Sequence, residues 1–169
     1  MDEEKKHEGD AAREMLDDYV IAEEDIDREI ERLEYLTSKM TGISAQVMNG
    51  MPRSSSMSTD RMADMLGRKE ELEASIREAV ERQAQKRKKI ESIVRRLKNT
   101  EERQVIRMRY LDRTEWDEVL EIMFGSKPDF EDRFETYRRR MYRVHGTALV
   151  NMEKIMKASG QPNTAIPAT

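Results

Sequence analysis

Two long segments lack proline and carry apolar side chains at intervals of three and four residues, and this pattern constrains the fold most. The first runs from about Asp10 to Met40 and the second from about Arg61 to Lys98. Such spacing puts the apolar side chains on one stripe of an α-helix. With only seven Gly and four Pro in 169 residues, turns are too few for a β fold of many strands. The sequence therefore predicts an all-α protein.

The two predicted helices should form an antiparallel, coiled-coil-like hairpin, because neither can bury its stripe alone. Residues 42–58, which contain two Gly, one Pro and a run of Ser, have loop composition and would connect the helices, with Gly42 ending the first. We expect this hairpin to occupy residues 1–98. Its narrow seam is also a candidate surface for homo-oligomer formation.

Charge is distributed unevenly along the hairpin. Residues 1–36 carry fifteen Asp/Glu and five Lys/Arg, whereas residues 82–99 carry eight Lys/Arg and one Glu. In an antiparallel hairpin the acidic start faces the basic end, so their pairing is the expected role of the run 86–89. If the acidic segment opened, residues 82–99 would instead offer a second phosphate-binding surface. The overall charge of −4 therefore does not argue against a polyanionic partner.

The remaining helices are expected over residues 99–157, as a separate domain. A helix from Glu101 to Leu111 would be capped by Asn99-Thr100, and a helix that contains Trp116 would be capped by Thr114 and ended by Gly125. A last helix would begin at about Phe130, or at Thr136 at the latest, and end at Lys157. Residues 158–169 have the composition of a disordered tail.

This order of short helix, turn, helix and Arg-rich amphipathic helix describes a helix-turn-helix. Its last helix, residues 136–157, would lie in the major groove of double-stranded DNA, where Arg can read guanine and hydroxyl groups hold phosphates. The candidate DNA-binding residues are Arg113, Thr114, Tyr137, Arg138, Arg139, Tyr142, Arg143 and His145. The alternative is a solvated basic face balanced by nearby acids, or, for His145, a packing role.

Other classes of function find little support in the sequence. There is no Cys, and the two His, at 7 and 145, are too far apart for a zinc site, so we expect no metal and no other cofactor. No phosphate-binding loop or nucleophile motif is present, and the chain is therefore not expected to be an enzyme. The longest apolar run, residues 19–22, is too short for a membrane span or a signal peptide, which predicts a soluble protein in the bacterial cytoplasm.

Residues 101–152 resemble region 4 of sigma-70-type sigma factors, and more closely the sigma-like and ArpU-type regulators of phages and prophages of Gram-positive bacteria. The matching residues are Arg103, Ile106, Arg109, Tyr110, Trp116, Val119, Met141, Arg143, Val144, His145, Ala148 and Leu149. Residues 49–53 (NGMPR) and 60–64 (DRMAD) resemble a further segment of that phage family. The resemblance implies transcriptional control of phage genes through DNA binding, with bacterial RNA polymerase as a possible partner.

The sequence departs from this family at residues 126–135, an acidic insertion between the last two helices. The insertion could lengthen the recognition helix or form a separate turn, and it would repel phosphate. Phe130 and Phe134 within it could anchor a partner or cover the core. Two other functions therefore stay open: a small terminase subunit, which joins a similar DNA-binding domain to an oligomerising hairpin, and an adaptor that binds RNA polymerase without reading DNA.

Overall fold

The computed structural model describes residues 7–48 and 55–160, and all the regular structure in these residues is helical, which confirms the predicted all-α class. The five α-helices described are α1 (Asp10–Met48), α2 (Ser55–Arg95), α3 (Thr100–Ile106), α4 (Trp116–Phe124) and α5 (Phe134–Gly160). A π-helical turn, Arg107–Leu111, continues α3.

The connection between α1 and α2 is shorter than the predicted loop over residues 42–58. Helix α1 continues past Gly42 to Met48, and α2 begins at Ser55. A glycine inside a helix costs only about 1 kcal/mol relative to alanine, and the neighbouring turns of a long helix outweigh this cost. The part of the predicted loop at residues 49–54 lies outside the described residues.

Contacts divide the chain into two compact units, and α1 and α2 each contribute to both. The first unit contains the chain up to Val20 and from Lys86 onward, and the second contains Ile21–Gln85. The start of α1 and the end of α2 therefore pack with α3–α5. The predicted domains 1–98 and 99–157 remain predictions.

The apolar core of the described residues lies in the first unit. Its buried side chains come from every helix and from the π-helical turn: Ala12, Leu16, Tyr19, Ile90, Ile93, Val94, Leu97, Val105, Ile106, Tyr110, Leu111, Val119, Leu120, Phe124, Met141, Ala148, Leu149 and Met152. Burial of these side chains is the main favourable contribution to folding of this unit.

The second unit has a much thinner seam. Here α1 and α2 line a common groove, with Leu36 and Leu72 among its lining residues. Ile30 and Val80 belong to the apolar stripes of the two helices and were expected in the seam. Both are exposed. Among the residues described in this unit, only Gln83 is buried.

Asn99 separates α2 from α3 and caps α3, as predicted. Helix α2 ends at Arg95, three residues before the predicted end, and Asn99 caps α3 by accepting the Glu101 N–H on its Oδ1 at 2.8 Å. The Arg103 guanidinium donates to the carbonyls of Leu97 and Lys98. These bonds satisfy carbonyl groups that the helix end leaves without intrahelical partners.

Two predicted boundaries around α4 and α5 need correction. Glu115, not Thr114, occupies the N-cap of α4, because the first intrahelical bond runs from the Val119 N–H to the Glu115 carbonyl at 2.9 Å. Gly125 ends α4 as predicted. Helix α5 includes residues 158–160, which we had assigned to the tail, and the rest of that tail lies outside the described residues.

The start of α1 depends on a glycine. Gly9 has a φ of +97°, and its N–H donates to a Glu153 carboxylate oxygen at 2.6 Å. A Cβ added at this position would lie 3.2 Å from both Leu149 Cβ and Val150 N. Backbone conformation and close approach to α5 therefore both favour glycine here.

We predict that Gly9→Ala lowers the free energy of unfolding by about 2 kcal/mol, because alanine is strained at positive φ and meets the α5 backbone. Gly146→Ala is the control, since a Cβ added at Gly146 in the middle of α5 meets nothing within 4 Å. This control should instead gain up to about 1 kcal/mol. Chemical denaturation followed by circular dichroism measures both variants. A Gly9→Ala protein as stable as the wild type would contradict the prediction.

Candidate nucleic-acid interface

Helix α5 has one buried face and one exposed face. Met141, His145, Ala148, Leu149 and Met152 are buried against the rest of the first unit. Spacing of three and four residues puts them on one side, as an amphipathic helix requires. The other side of the helix is exposed and carries most of the candidate DNA-binding arginines.

Three of these arginines are exposed, with different surroundings. Arg138 forms an ion pair with Glu135 at 3.0 Å. Within the described part of the chain, the side chains of Arg139 and Arg143 make neither an ion pair nor a hydrogen bond. The structure therefore leaves two cationic groups, one helical turn apart, open to solvent.

Tyr142 lies between these arginines in sequence and is 47% exposed. Its ring packs on Trp116, with 5.2 Å between the ring centroids. The Arg109 guanidinium lies 5.3 Å from the centre of the same indole and donates to the Thr114 carbonyl at 3.2 Å. Trp116 thus links α5 to the turn before α4. We had noted Arg109 only as a match to the family, because its spacing from Trp116 does not indicate contact.

The two candidates in that turn differ in exposure. Arg113 is exposed and adopts a φ of 57°. Thr114 is half-buried, and both its N–H and its carbonyl are hydrogen-bonded within the protein. Only the Thr114 hydroxyl is therefore a candidate for contact with phosphate.

Tyr137 points to the insertion rather than to the exposed face. Its hydroxyl donates to Asp129 Oδ1 at 2.8 Å, and its ring stacks on Phe124 with centroids 5.2 Å apart. The hydrogen bond lowers the pKa of the Asp129 carboxyl and raises the pKa of Tyr137. The Tyr137 hydroxyl therefore has an internal partner, and its contact with DNA stays a prediction.

The insertion forms a separate turn, one of the two arrangements that we had considered. Residues 125–133 make successive turns, and α5 starts only at Phe134. Phe130 is half-buried against the core and packs edge-to-face on Phe134, which is 38% exposed. Asp129 also pairs with Arg133 at 3.3 Å. Phe130 thus covers the core, while Phe134 is partly open to solvent.

His145 is a core residue, which favours the packing role over contact with DNA. It is 8% exposed, shares a hydrogen bond of 3.0 Å between its Nε2 and the Tyr110 hydroxyl, and packs edge-to-face on Trp116. Burial, with smaller contributions from Arg13 and Arg109, lowers its pKa to about 4. The imidazole is therefore neutral near pH 7 and does not attract phosphate.

Of the basic run 86–89, only the Arg87 side chain is bonded within the described part of the protein. It donates to the Leu111 carbonyl at 3.1 Å, which favours a structural role for this residue. Lys86 and Lys89 line a groove together with Glu14 and Asp18, but Lys86, Lys88 and Lys89 are exposed and form no ion pair within the described residues. The pairing of acidic and basic segments therefore stays a prediction.

In the part of the chain that the structure describes, no three His, Asp or Glu side chains come together as ligands for a metal ion. None of the helices in that part of the chain combines the length and apolar character needed to cross a membrane.

The pKa of His145 predicts acid sensitivity. Its folded-state pKa of about 4 lies below the ordinary value of 6.5, so the unfolded chain binds a proton that the folded chain excludes. We therefore expect stability to fall between pH 6.5 and pH 4, by up to about 3 kcal/mol. Urea denaturation at several pH values measures this loss. His145→Gln should remove most of it, whereas His7→Gln should retain it. An unchanged pH dependence in His145→Gln would contradict this assignment.

Comparison with known proteins gives one match. No curated protein and no solved structure matches the chain. A family model described as "Protein of unknown function (DUF1492)" matches residues 35–140, from the middle of α1 to the start of α5. Because this match covers more than half of the sequence, the chain belongs to the DUF1492 family.

Proposed function

We propose that this protein is a DNA-binding regulator of phage or prophage transcription, of the sigma region-4-like class. In this proposal α4, the turns at 125–133 and α5 act as a helix-turn-helix, and α1 and α2 form an antiparallel hairpin. Arg138, Arg139, Tyr142 and Arg143 face the major groove. Contact with bacterial RNA polymerase and self-association through the hairpin are further parts of the proposal, taken from the resemblance and from the narrow seam.

The observation that carries the proposal is the unpaired state of Arg139 and Arg143. Like charges four residues apart on a helix repel each other, at a cost of some tenths of a kcal/mol. Elsewhere, Arg68 and Arg82 each pair with an acid one turn earlier. No such acid compensates Arg139 or Arg143 within the described residues. A phosphate backbone or a guanine edge would supply the missing acceptors.

The surroundings of the two arginines fit this use. Trp116 holds Tyr142 beside them, so the Tyr142 hydroxyl is available to a phosphate at little cost in side-chain entropy. Arg138 is held only by an exposed ion pair to Glu135, and such a pair is weak enough to exchange for a phosphate.

The acidic insertion limits where DNA can approach. Asp129 and Glu135 are each paired with an arginine, but Glu131 and Asp132 are exposed. The repulsion is therefore centred before the first turn of α5. We expect contact from Arg138 onward, farther from the helix start than in an ordinary helix-turn-helix.

The test is fluorescence-anisotropy binding to a mixed-sequence duplex at several salt concentrations. We expect wild-type binding with a steep log–log salt slope. The slope should fall by about 2 in Arg139→Gln/Arg143→Gln, because each phosphate contact contributes about 0.9. The control is Arg61→Gln/Arg77→Gln, which removes the same charge from two exposed arginines that also lack partners among the described residues.

Three outcomes would contradict the proposal. The first is no wild-type binding at low salt, which would turn attention to an adaptor that binds RNA polymerase alone. The second is a slope that the α5 variant leaves unchanged. The third is an equal loss in the control, because a general charge effect would then explain the result.

A further inference from the structure

We infer that Arg96, Lys98 and Lys154 form a second phosphate-binding surface, which holds the DNA backbone while α5 reads the bases. This inference rests on the proposed function and deepens it. We call the three residues the junction cations, because they lie where the end of α2, the start of α3 and the last turns of α5 meet.

Contacts within the first unit fix this junction. The Arg96 guanidinium donates to the Ser159 hydroxyl and so ties the end of α2 to the end of α5. The Asn151 amide donates to both carboxylate oxygens of Glu102, at 3.1 and 3.2 Å, and so ties α5 to α3. Lys154 follows Asn151 by one helical turn. Arg96 and Lys98 thus lie in the short link between α2 and α3, which the buried Leu97 side chain and the bonds from Arg103 hold in place, and Lys154 lies on α5.

Acidic side chains near the junction have cationic partners of their own. Glu91 pairs with Arg87 at 3.2 Å and with Arg95 at 3.7 Å. Glu101 pairs with Arg140 at 2.7 Å. These carboxylates therefore do not neutralise the junction cations.

The other two nearby carboxylates are also engaged. Glu102 is 5% exposed and holds Asn151. Glu153 accepts from Lys157 at 2.6 Å and from the Gly9 N–H, and the bond from Lys157 is the main reason that the pKa of Glu153 is lowered.

The junction cations themselves carry uncompensated charge. All three are exposed, and none forms an ion pair within the part of the chain that the structure describes. Arg96 has one hydrogen bond, to a neutral hydroxyl, so its charge is unopposed. Three such charges on a fixed surface suit a polyanion, and the phosphate backbone of DNA is the one that this proposal commits to.

This surface divides the basic segment 82–99 into two parts. Lys86 and Lys89 share a groove with acids of α1, and Arg87 bonds to the Leu111 carbonyl. The later part, Arg96 and Lys98, has no acidic neighbour of this kind. We expected the acidic start of the chain to cover residues 82–99, whereas Arg96 and Lys98 are exposed in the structure.

The experiment measures the salt dependence of duplex binding for the full chain. The junction variant is Arg96→Gln/Lys98→Gln/Lys154→Gln, and the control is Arg28→Gln/Arg68→Gln/Arg82→Gln, which removes three charges from exposed arginines that each pair with an acid. We expect the junction variant to lower the log–log slope by 2 to 3, and the control to change it by less than about 1. Circular dichroism at the assay temperature verifies that both variants are folded.

Comparison with Arg139→Gln/Arg143→Gln separates this inference from the proposed function. If the α5 variant lowers the slope and the junction variant does not, the inference is overturned and the proposed function stands. If only the junction variant lowers the slope, phosphate binding at the junction is supported, and the proposal that Arg139 and Arg143 contact DNA is overturned. Equal losses in the junction variant and its control overturn the inference, and absence of wild-type binding overturns both.

Discussion

The Arg87 guanidinium joins three parts of the first unit. It donates to the Leu111 carbonyl at the end of the π-helical turn, lies 3.5 Å from the Tyr19 hydroxyl of α1, and pairs with Glu91 on its own helix. Bonds to a charged donor are stronger than neutral ones, more so where water is partly excluded. The first turns of α1 and the π-helical turn after α3 are thereby held to α2.

The amount of apolar side chain explains why the core is confined to one unit. With 39% charged and 5% aromatic residues, the chain has few large side chains to bury. Where four or five helices meet, each contributes a few, and together they exclude water. Two helices alone leave their stripe half open, as Ile30 and Val80 show in the second unit. A partner on that seam would complete its burial, which is why self-association remains part of the proposal.

Features fixed by neighbouring residues were predictable from the sequence, and features fixed by distant ones were not. The Asn99 cap and the end of α4 at Gly125 follow from local chemistry and were found. The internal hydrogen bonds of His145 and Tyr137 were not predicted, because their partners Tyr110 and Asp129 come close only in the folded chain. The prediction that Gly42 ends α1 was wrong, because the cost of a glycine in a helix, about 1 kcal/mol, is smaller than the stabilisation from the neighbouring turns.

The same reasoning separates arginines that a sequence treats alike. Arg87 is hydrogen-bonded to the backbone within the protein. Arg138 forms an exposed ion pair that a phosphate can replace, and Arg139 has no ion pair within the described residues. Net charge averages over these three conditions, so a value of −4 describes none of them. A polyanion binds the cations that have no internal ion pair. Such cations include those on α5 and at the junction, and in the proposal one of these surfaces holds DNA while the other reads it.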